Sequence, residues 1–382
     1  MHAHSRRGFL ARTLGAVWFH SSILERASLF AAQSRAQSKK KLPTLFDIEK
    51  VADGIYGAVA HGRALINCNA VIFENANDLL IVDAHASPSA VYALVAQIRR
   101  EVTQKPVRYV VASHVHGDHT GGLAGYRSIA PVANIISSGR TYNALSAAKT
   151  SRPHAASDAA GRALENSRQQ LAKAKTSEDK AYWQEMIAQT SAFVEEMKNV
   201  SPELPDITFD DHMVIHDKAH ELRLAFQGRG HTAGDIVVFC PEKKVIASGD
   251  LLHSFFPTIS DGYPSDWPAT LRSIGELPFE IVVGGHGGVQ PTTERVSQFR
   301  NYLEELNDVV ARGKKEGAPL ERLQSTITPA SLKTLEQGGY GDFLAAQVKK
   351  YDFRAHLNTP AEVVTRNVRD NVTAVFRNLD RT

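Results

Sequence analysis

Residues 113–122 read SHVHGDHTGG, and no other stretch constrains the fold as much. It follows the apolar run VRYVVA, so His114 stands where a strand ends and a loop begins. In an extended chain, residues i and i+2 point the same way, so His114 and His116 can face one metal ion from one side. A turn at Gly117 suits a residue without Cβ, and it lets Asp118 and His119 face a second ion beside the first. Imidazole and carboxylate ligands suit zinc, and iron or manganese as well. Four ligands in one loop do not complete two sites. Three more metal-capable residues close later apolar runs: His231 in GRGHTAGD, Asp250 in IASGDLLH and His286 in VVGGHGG. Asp83, in LLIVDAH, holds a similar place upstream. A chain that uses these residues together has to bring distant strand ends to one edge.

The runs around these residues predict an α/β fold. GIYGAVA, INCNAVIFE and DLLIVDAH read as consecutive strands, with NAND (75–78) as a turn between the second and third. SAVYALVAQIRREV has helical spacing, with Val91, Leu94, Val95 and Ile98 on one face. VRYVVASH follows as a buried strand, so helices are expected to pack on sheet. Residues from about 141 to 199 are rich in Ala, Lys, Glu and Gln and read as a helical insert. Thr176 and Asp179 suggest a cap, and Tyr182, Met186, Phe193 and Met197 recur at helical spacing. Two readings of the insert stand: a helical hairpin on the core, or a lid framing a pocket. Strand signals return at HELRLAFQG, DIVVFCP, KVIASGD and FEIVVGGHGG. VSQFRNYLEELNDVVARGKKEG is a further helix, with Gly313 as its expected stop.

Composition adds location and exclusions. The 382 residues are 43% hydrophobic and 22% charged, an ordinary globular balance. The formal charge of +3 comes from the first 40 residues; the rest holds 37 basic and 40 acidic residues. Such a body gives no support for nucleic-acid binding. Cys68 and Cys240 lie in apolar runs and read as small core residues; a disulfide between them stays open. Ser5-Arg6-Arg7-x-Phe9-Leu10 resembles a twin-arginine export signal, so 1–40 is expected to be signal and linker. That implies a periplasmic or extracellular protein, folded before export. The apolar run after the arginines is interrupted by Arg12, His20, Glu25 and Arg26, so stable membrane insertion is not expected.

H-x-H-x-D-H, followed in order by His231, Asp250 and His286, resembles the metal-binding signature of the metallo-β-lactamase-fold superfamily. The resemblance covers roughly residues 45–300. It implies an αββα sandwich of two mixed β-sheets flanked by helices, here spanning 41–300, with a C-terminal helical extension over 301–382. By position, His114, His116 and His231 would bind one metal, Asp118, His119 and His286 a second, and Asp250 would bridge them. Asp83 would orient the ligand loop. The implied cofactor is two zinc ions per chain, with iron or manganese as alternatives. His61, His85, His154, His212, His216, His220, His253 and His356 have no place in the pattern.

The implied chemistry is hydrolysis by a metal-bridging hydroxide, with Asp118 orienting it or handling its proton. No Ser-His-Asp or Cys-His arrangement is needed. A bridging aspartate at 250 is similar to glyoxalase II and lactonases, which favours a small ester, thioester, lactone or amide. β-Lactam hydrolysis is the runner-up. An iron-dependent oxidoreductase of the persulfide dioxygenase kind is the alternative from another class. The segment GDLLHSFFPTISDGYPSDWPATL resembles exported quinoprotein-associated members. Within and beside it, His253 and Trp267 are candidate substrate contacts, as are Phe255, Phe256 and Tyr263, with core packing an equal reading for the aromatics. The expected partner is a small-molecule substrate.

Overall fold

The computed structural model describes residues 45–61, 68–129, 131–290, 292–351 and 358–380. The export motif, its linker and His356 lie outside the described residues. The first sheet has seven strands in chain order: β1 (Phe46–Ala52), β2 (Ile55–Ala60), β3 (Ala70–Glu74), β4 (Leu79–Val82), β5 (Val107–Val111), β6 (Asn134–Ser138) and β7 (Ile207–Phe209). β1 to β4 run antiparallel, and β4 to β7 pair in parallel. The second sheet has the order β12-β11-β10-β9-β8, formed by β8 (His212–His216), β9 (Glu221–Ala225), β10 (Val237–Cys240), β11 (Val245–Gly249) and β12 (Ile281–Gly284). Only β11 and β12 are parallel there.

The period of two along each strand explains the layers. Val71, Phe73, Leu80, Val82 and Val111 meet Leu224, Val238, Val245 and Val283 between the sheets. The alternate residues Ile72, Ile81 and Val110 face Val91, Leu94, Val95 and Ile98 of the helix Pro88–Glu101. On the outer face of the second sheet, Phe239, Ile246 and Val282 pack with Leu271, Phe299, Leu306, Val368 and Val372 from later helices. Two mixed sheets with helices on both outer faces make the expected αββα sandwich.

Four strands, β1, β6, β7 and β8, are not among the runs singled out above. β7 has three residues, and β8 is HMVIH, with an exposed histidine at each end. Neither carries enough apolar residues to stand out. The insert forms three helices, Gly139–Ser151, Ala155–Lys173 and Ser177–Met197, and the Thr176 side chain accepts from Asp179 N–H at 3.0 Å. Gly313 is not a helix stop. Its helix, Glu294–Lys315, runs past it, and a Cβ on Gly313 would lie 2.5 Å from Leu323. The glycine serves close packing there, and Gly317, with φ of 79°, follows the helix.

The chain passes position 300 inside that same helix. The final helix, Pro360–Asn378, begins at a reciprocal Thr359–Glu362 cap and buries its apolar stripe in the outer core of the second sheet. Cys68 and Cys240 are buried free thiols. Among the described residues, no helix is long and apolar enough to cross a membrane.

Candidate metal centre

Two strand ends build the ligand loop. β4 ends at Val82, and Asp83 turns out of it with φ of 70°, a left-handed conformation unusual for a residue with a side chain. Asp83 Oδ1 accepts from Ser113 N–H at 2.9 Å, and Oδ2 from the Ser113 hydroxyl at 2.9 Å. That locks the end of β5 to the end of β4. His114 and His116 follow, and the one-turn helix Gly117–Thr120 then carries Asp118 and His119. Asp83 Oδ2 also lies 2.8 Å from His119 Nδ1, which turns His119 Nε2 inward.

Three imidazoles converge first. His116 Nδ1 is 3.2 Å from His114 Nε2 and 2.8 Å from His231 Nε2. Their outer nitrogens are held by the protein. His114 Nδ1 meets Ser113 Oγ at 3.0 Å, His231 Nδ1 donates to Thr258 O at 3.1 Å, and His116 Nε2 meets Asp261 Oδ2 at 2.8 Å. Beside this trio, Asp118 Oδ2 lies 3.3 Å from His286 Nε2 and 3.6 Å from His119 Nε2. Asp250 faces both trios. Its Oδ1 is 3.4 Å from His119 Nε2, and its Oδ2 is 3.3 Å from both His231 Nε2 and His286 Nε2.

These groups fit metal ions. His114, His116 and His231, and likewise Asp118, His119 and His286, can each offer ligand atoms within 4.8 Å of one another. His119 Nε2 and Asp250 Oδ1 are buried with no hydrogen-bond partner, which is costly unless a cation satisfies them. Gly285 leaves the necessary room, since a Cβ there would lie 2.1 Å from Asp250 Oδ1 and 2.7 Å from His119 Cε1.

A family model of the Metallo-beta-lactamase superfamily matches residues 63–286, more than half of the chain. The chain belongs to the metallo-β-lactamase superfamily. A curated relative, Metallo-beta-lactamase type 2 of Elizabethkingia meningoseptica, is 26% identical over 112 residues, covering 26% of this chain and 45% of the relative. The match thus spans less than half of that relative's length. Among solved structures, the metallo-beta-lactamase from Pontibacter korlensis is 17% identical, with a TM-score of 0.49 over 68% of this chain and 99% of that one. TMB-1 is 18% identical, with a TM-score of 0.49 over 69% and 98%. Superfamily membership and the histidine–aspartate cluster together point to a metal-dependent hydrolase.

In this superfamily member, burial and charge work on the ligands in opposite ways. Burial holds His114 well below the ordinary imidazole range and His231 down to about 4, so both stay neutral as a metal ligand must. Burial opposes charge on His119 and His286 too, but Asp250 prevails and raises both, His286 to about 10. Asp118 and Asp250 are lowered: burial opposes their charge, and the neighbouring histidines overcome it. The two carboxylates therefore demand positive charge at this point, and either protons or metal ions supply it.

Asp261 escaped the sequence reading as a functional residue. It lies in the quoted segment after Asp250, but only the fold shows it gripping His116. Thr258 O, which orients His231, is a backbone atom and leaves no signature. Trp267 is fully buried. It donates to Leu251 O at 3.2 Å and sets its ring 5.6 Å from His231 and 5.3 Å from Phe299, so it backs a ligand from the core side. His253 stands edge-on to His286 at 5.7 Å, and its Nδ1 accepts from Phe255 N–H. Burial lowers His253 to about 3. Phe256 is a core residue against Tyr302, while Phe255 and Tyr263 are half-buried. His85 is fully buried against Cys68, and His61, His216 and His220 engage Asp47, Glu221 and Asn75. Gly117 has no atom near its missing Cβ, so the turn there does not depend on glycine.

Asp83→Ala removes the acceptor of His119 and both contacts to Ser113. Metal affinity is expected to fall about 10- to 100-fold. Competition against a fluorescent chelator measures it, and an unchanged affinity would refute the orienting role.

Proposed function

We propose that the protein is a dinuclear zinc hydrolase acting on a small ester, thioester, lactone or amide. Asp250 carries this reading, because its carboxylate faces both ligand trios. Two zinc ions held there would supply Lewis acidity and a nucleophile drawn from water at neutral pH. His114, His116 and His231 would hold one ion, and Asp118, His119 and His286 the other. The protein's own contribution is orientation. Asp83, Asp261 and Thr258 O fix three imidazoles so that little rearrangement accompanies the reaction. Asp118, 30% exposed where Asp250 is buried, would take a proton at a carboxylate oxygen.

Metal analysis of the purified protein tests the class. About two zincs per chain with no visible absorbance are expected. Tightly held iron with oxygen or persulfide turnover would overturn the hydrolase reading. A panel of p-nitrophenyl esters, thioesters, lactones and nitrocefin then resolves the substrate. The similarity to a type 2 metallo-beta-lactamase makes nitrocefin turnover the result that would shift the proposal to β-lactams.

Metal affinity should also depend on pH. A metal coordinates neutral imidazole, so binding displaces protons that Asp250 holds on His119 and His286. With His286 raised to about 10, protons compete throughout the neutral range. Lowering pH therefore weakens binding. Apparent affinity is expected to rise between about pH 6 and 9, by up to about tenfold per pH unit for each displaced proton. Chelator competition across this range would contradict the linkage by returning a flat profile.

Export through the twin-arginine route is part of the proposal, supported by Ser5-Arg6-Arg7-x-Phe9-Leu10. Replacing Arg6 and Arg7 with lysine should trap the protein inside the cell, and fractionation of the host reads the outcome.

A further inference from the structure

A cavity of about 550 Å³ adjoins the metal centre, and holding metals does not require it. Gly117 and Asp118 of the ligand loop form one side. The helical insert forms another. Ala159, Ala160 and Ala163 of the helix Ala155–Lys173 face the space together with Trp183, Met186 and Phe193 of the helix Ser177–Met197. The alanines are too small to close the gap between these helices, so the large apolar side chains stay only half-buried. The helices of the insert thus wall a pocket that touches the ligand loop.

The third side carries a charge. Arg366, on the helix Pro360–Asn378, lines the cavity with Asn358, whose Oδ1 accepts from its guanidinium at 2.7 Å. Among the described residues, Arg366 and Asp118 are the only charged groups lining this space. Asp118 is turned toward His286 and His119. Glu362, one turn before Arg366, is engaged by the N–H and hydroxyl of Thr359 at 2.7 and 2.9 Å. The cavity therefore presents an apolar wall, a cation and a metal-binding edge, within the size range of small-molecule pockets.

We propose that this cavity is the substrate pocket and that it takes a small amphiphilic monoanion. The inference rests on the hydrolase reading above. The substrate's apolar acyl or aryl body lies against Trp183, Met186 and Phe193, its anionic group pairs with Arg366, and its hydrolysable carbonyl reaches the edge at Asp118. Hydrolysis consumes one water. The water oxygen bonds to the carbonyl carbon, the carbon–heteroatom bond breaks with its electron pair on the leaving group, and a water proton ends there.

Binding can be read without turnover. Calorimetry on the full-length, metal-loaded protein compares 1-octanesulfonate with 1-octanol, which share a chain and differ in charge. The sulfonate is expected to bind at least tenfold more tightly. Arg366→Ala, a change at an exposed residue, should erase that preference and leave octanol binding as it was. Ala163→Trp should weaken both probes at least tenfold. Wild-type affinities for both probes in Arg366→Ala would overturn the pocket assignment even if Ala163→Trp fails to fold. Turnover of p-nitrophenyl octanoate separates the two claims. This ester is neutral, so Arg366→Ala should leave its hydrolysis unchanged and Ala163→Trp should slow it; hydrolysis untouched by a folded Ala163→Trp sinks the pocket and spares the hydrolase. Probe binding as predicted, with no turnover of any ester, thioester, lactone or amide, sinks the hydrolase and spares the pocket.

Discussion

Asp250→Ala is expected to lower turnover about a thousandfold or more, equivalent to about 4 kcal/mol of transition-state stabilisation. Its Oδ2 lies 3.3 Å from both His231 and His286, and its Oδ1 lies 3.4 Å from His119. Its carboxylate faces both ligand trios, so its loss removes the negative charge shared between them. The same charge raises His119 and His286, and without it the buried His119 and the half-buried His286 have less reason to bind a cation. Metal content should fall with turnover. Asp250→Asn keeps the shape and removes the charge, so it separates electrostatics from packing and is expected to fail as well. Elemental analysis alongside ester turnover checks both variants. An Asp250→Ala protein with full metal and activity within tenfold of the parent would show that the bridge is not needed.

Gly122→Ala is expected to destabilise the fold by about 3 kcal/mol and to disturb the ligand loop with it. A Cβ on Gly122 would lie 1.9 Å from Ala84 O, 2.8 Å from Ser87 O and 2.7 Å from Val91. Two of these neighbours are backbone atoms and cannot turn aside. The contact also sits inside the joint between β4 and the ligand loop. There Gly122 N–H donates to His85 O at 3.0 Å and Ala84 N–H to His119 O at 2.9 Å. Opening that joint moves Asp83 away from His119. Gly117→Ala, five residues earlier, is the control: nothing lies within 4 Å of its added Cβ. Urea denaturation of the two variants should show a lowered midpoint for the first and almost none for the second. Equal midpoints would refute the packing argument.

The layers of the fold were legible because strand periodicity is a local signal. Val71 and Phe73 face one side and Ile72 the other, and their alternation appears directly in the chain. β7 and β8 were not legible, since a three-residue strand and three apolar side chains flanked by histidines owe their strand state to neighbours supplied by the sheet. Gly313 misled for a related reason. Glycine stops helices by backbone freedom, but this one lies within a helix, where Leu323 packs so close that a Cβ would lie 2.5 Å from it. In the GDHTGG stretch the same difficulty appears in reverse. Gly117 looked like the residue the turn needed, whereas Gly121 and Gly122 are the ones hemmed in by backbone oxygens of Ala86 and Ala84.

By itself, the sequence determined that metal-capable side chains stand at strand ends, since ligand chemistry and strand periodicity are both written residue by residue. It also set the order in which those side chains arrive, from His114 to His286. The tertiary structure alone decided which atoms meet. Asp261 Oδ2 reaches His116 across 145 positions, and Asp83 reaches His119 across 36. It alone also set an alanine-lined helix, an aromatic-lined helix and Arg366 around one cavity beside Asp118. Such encounters depend on how layers stack and where loops return. No local period or spacing encodes them, because the distance between two side chains in space is fixed by every element packed between them.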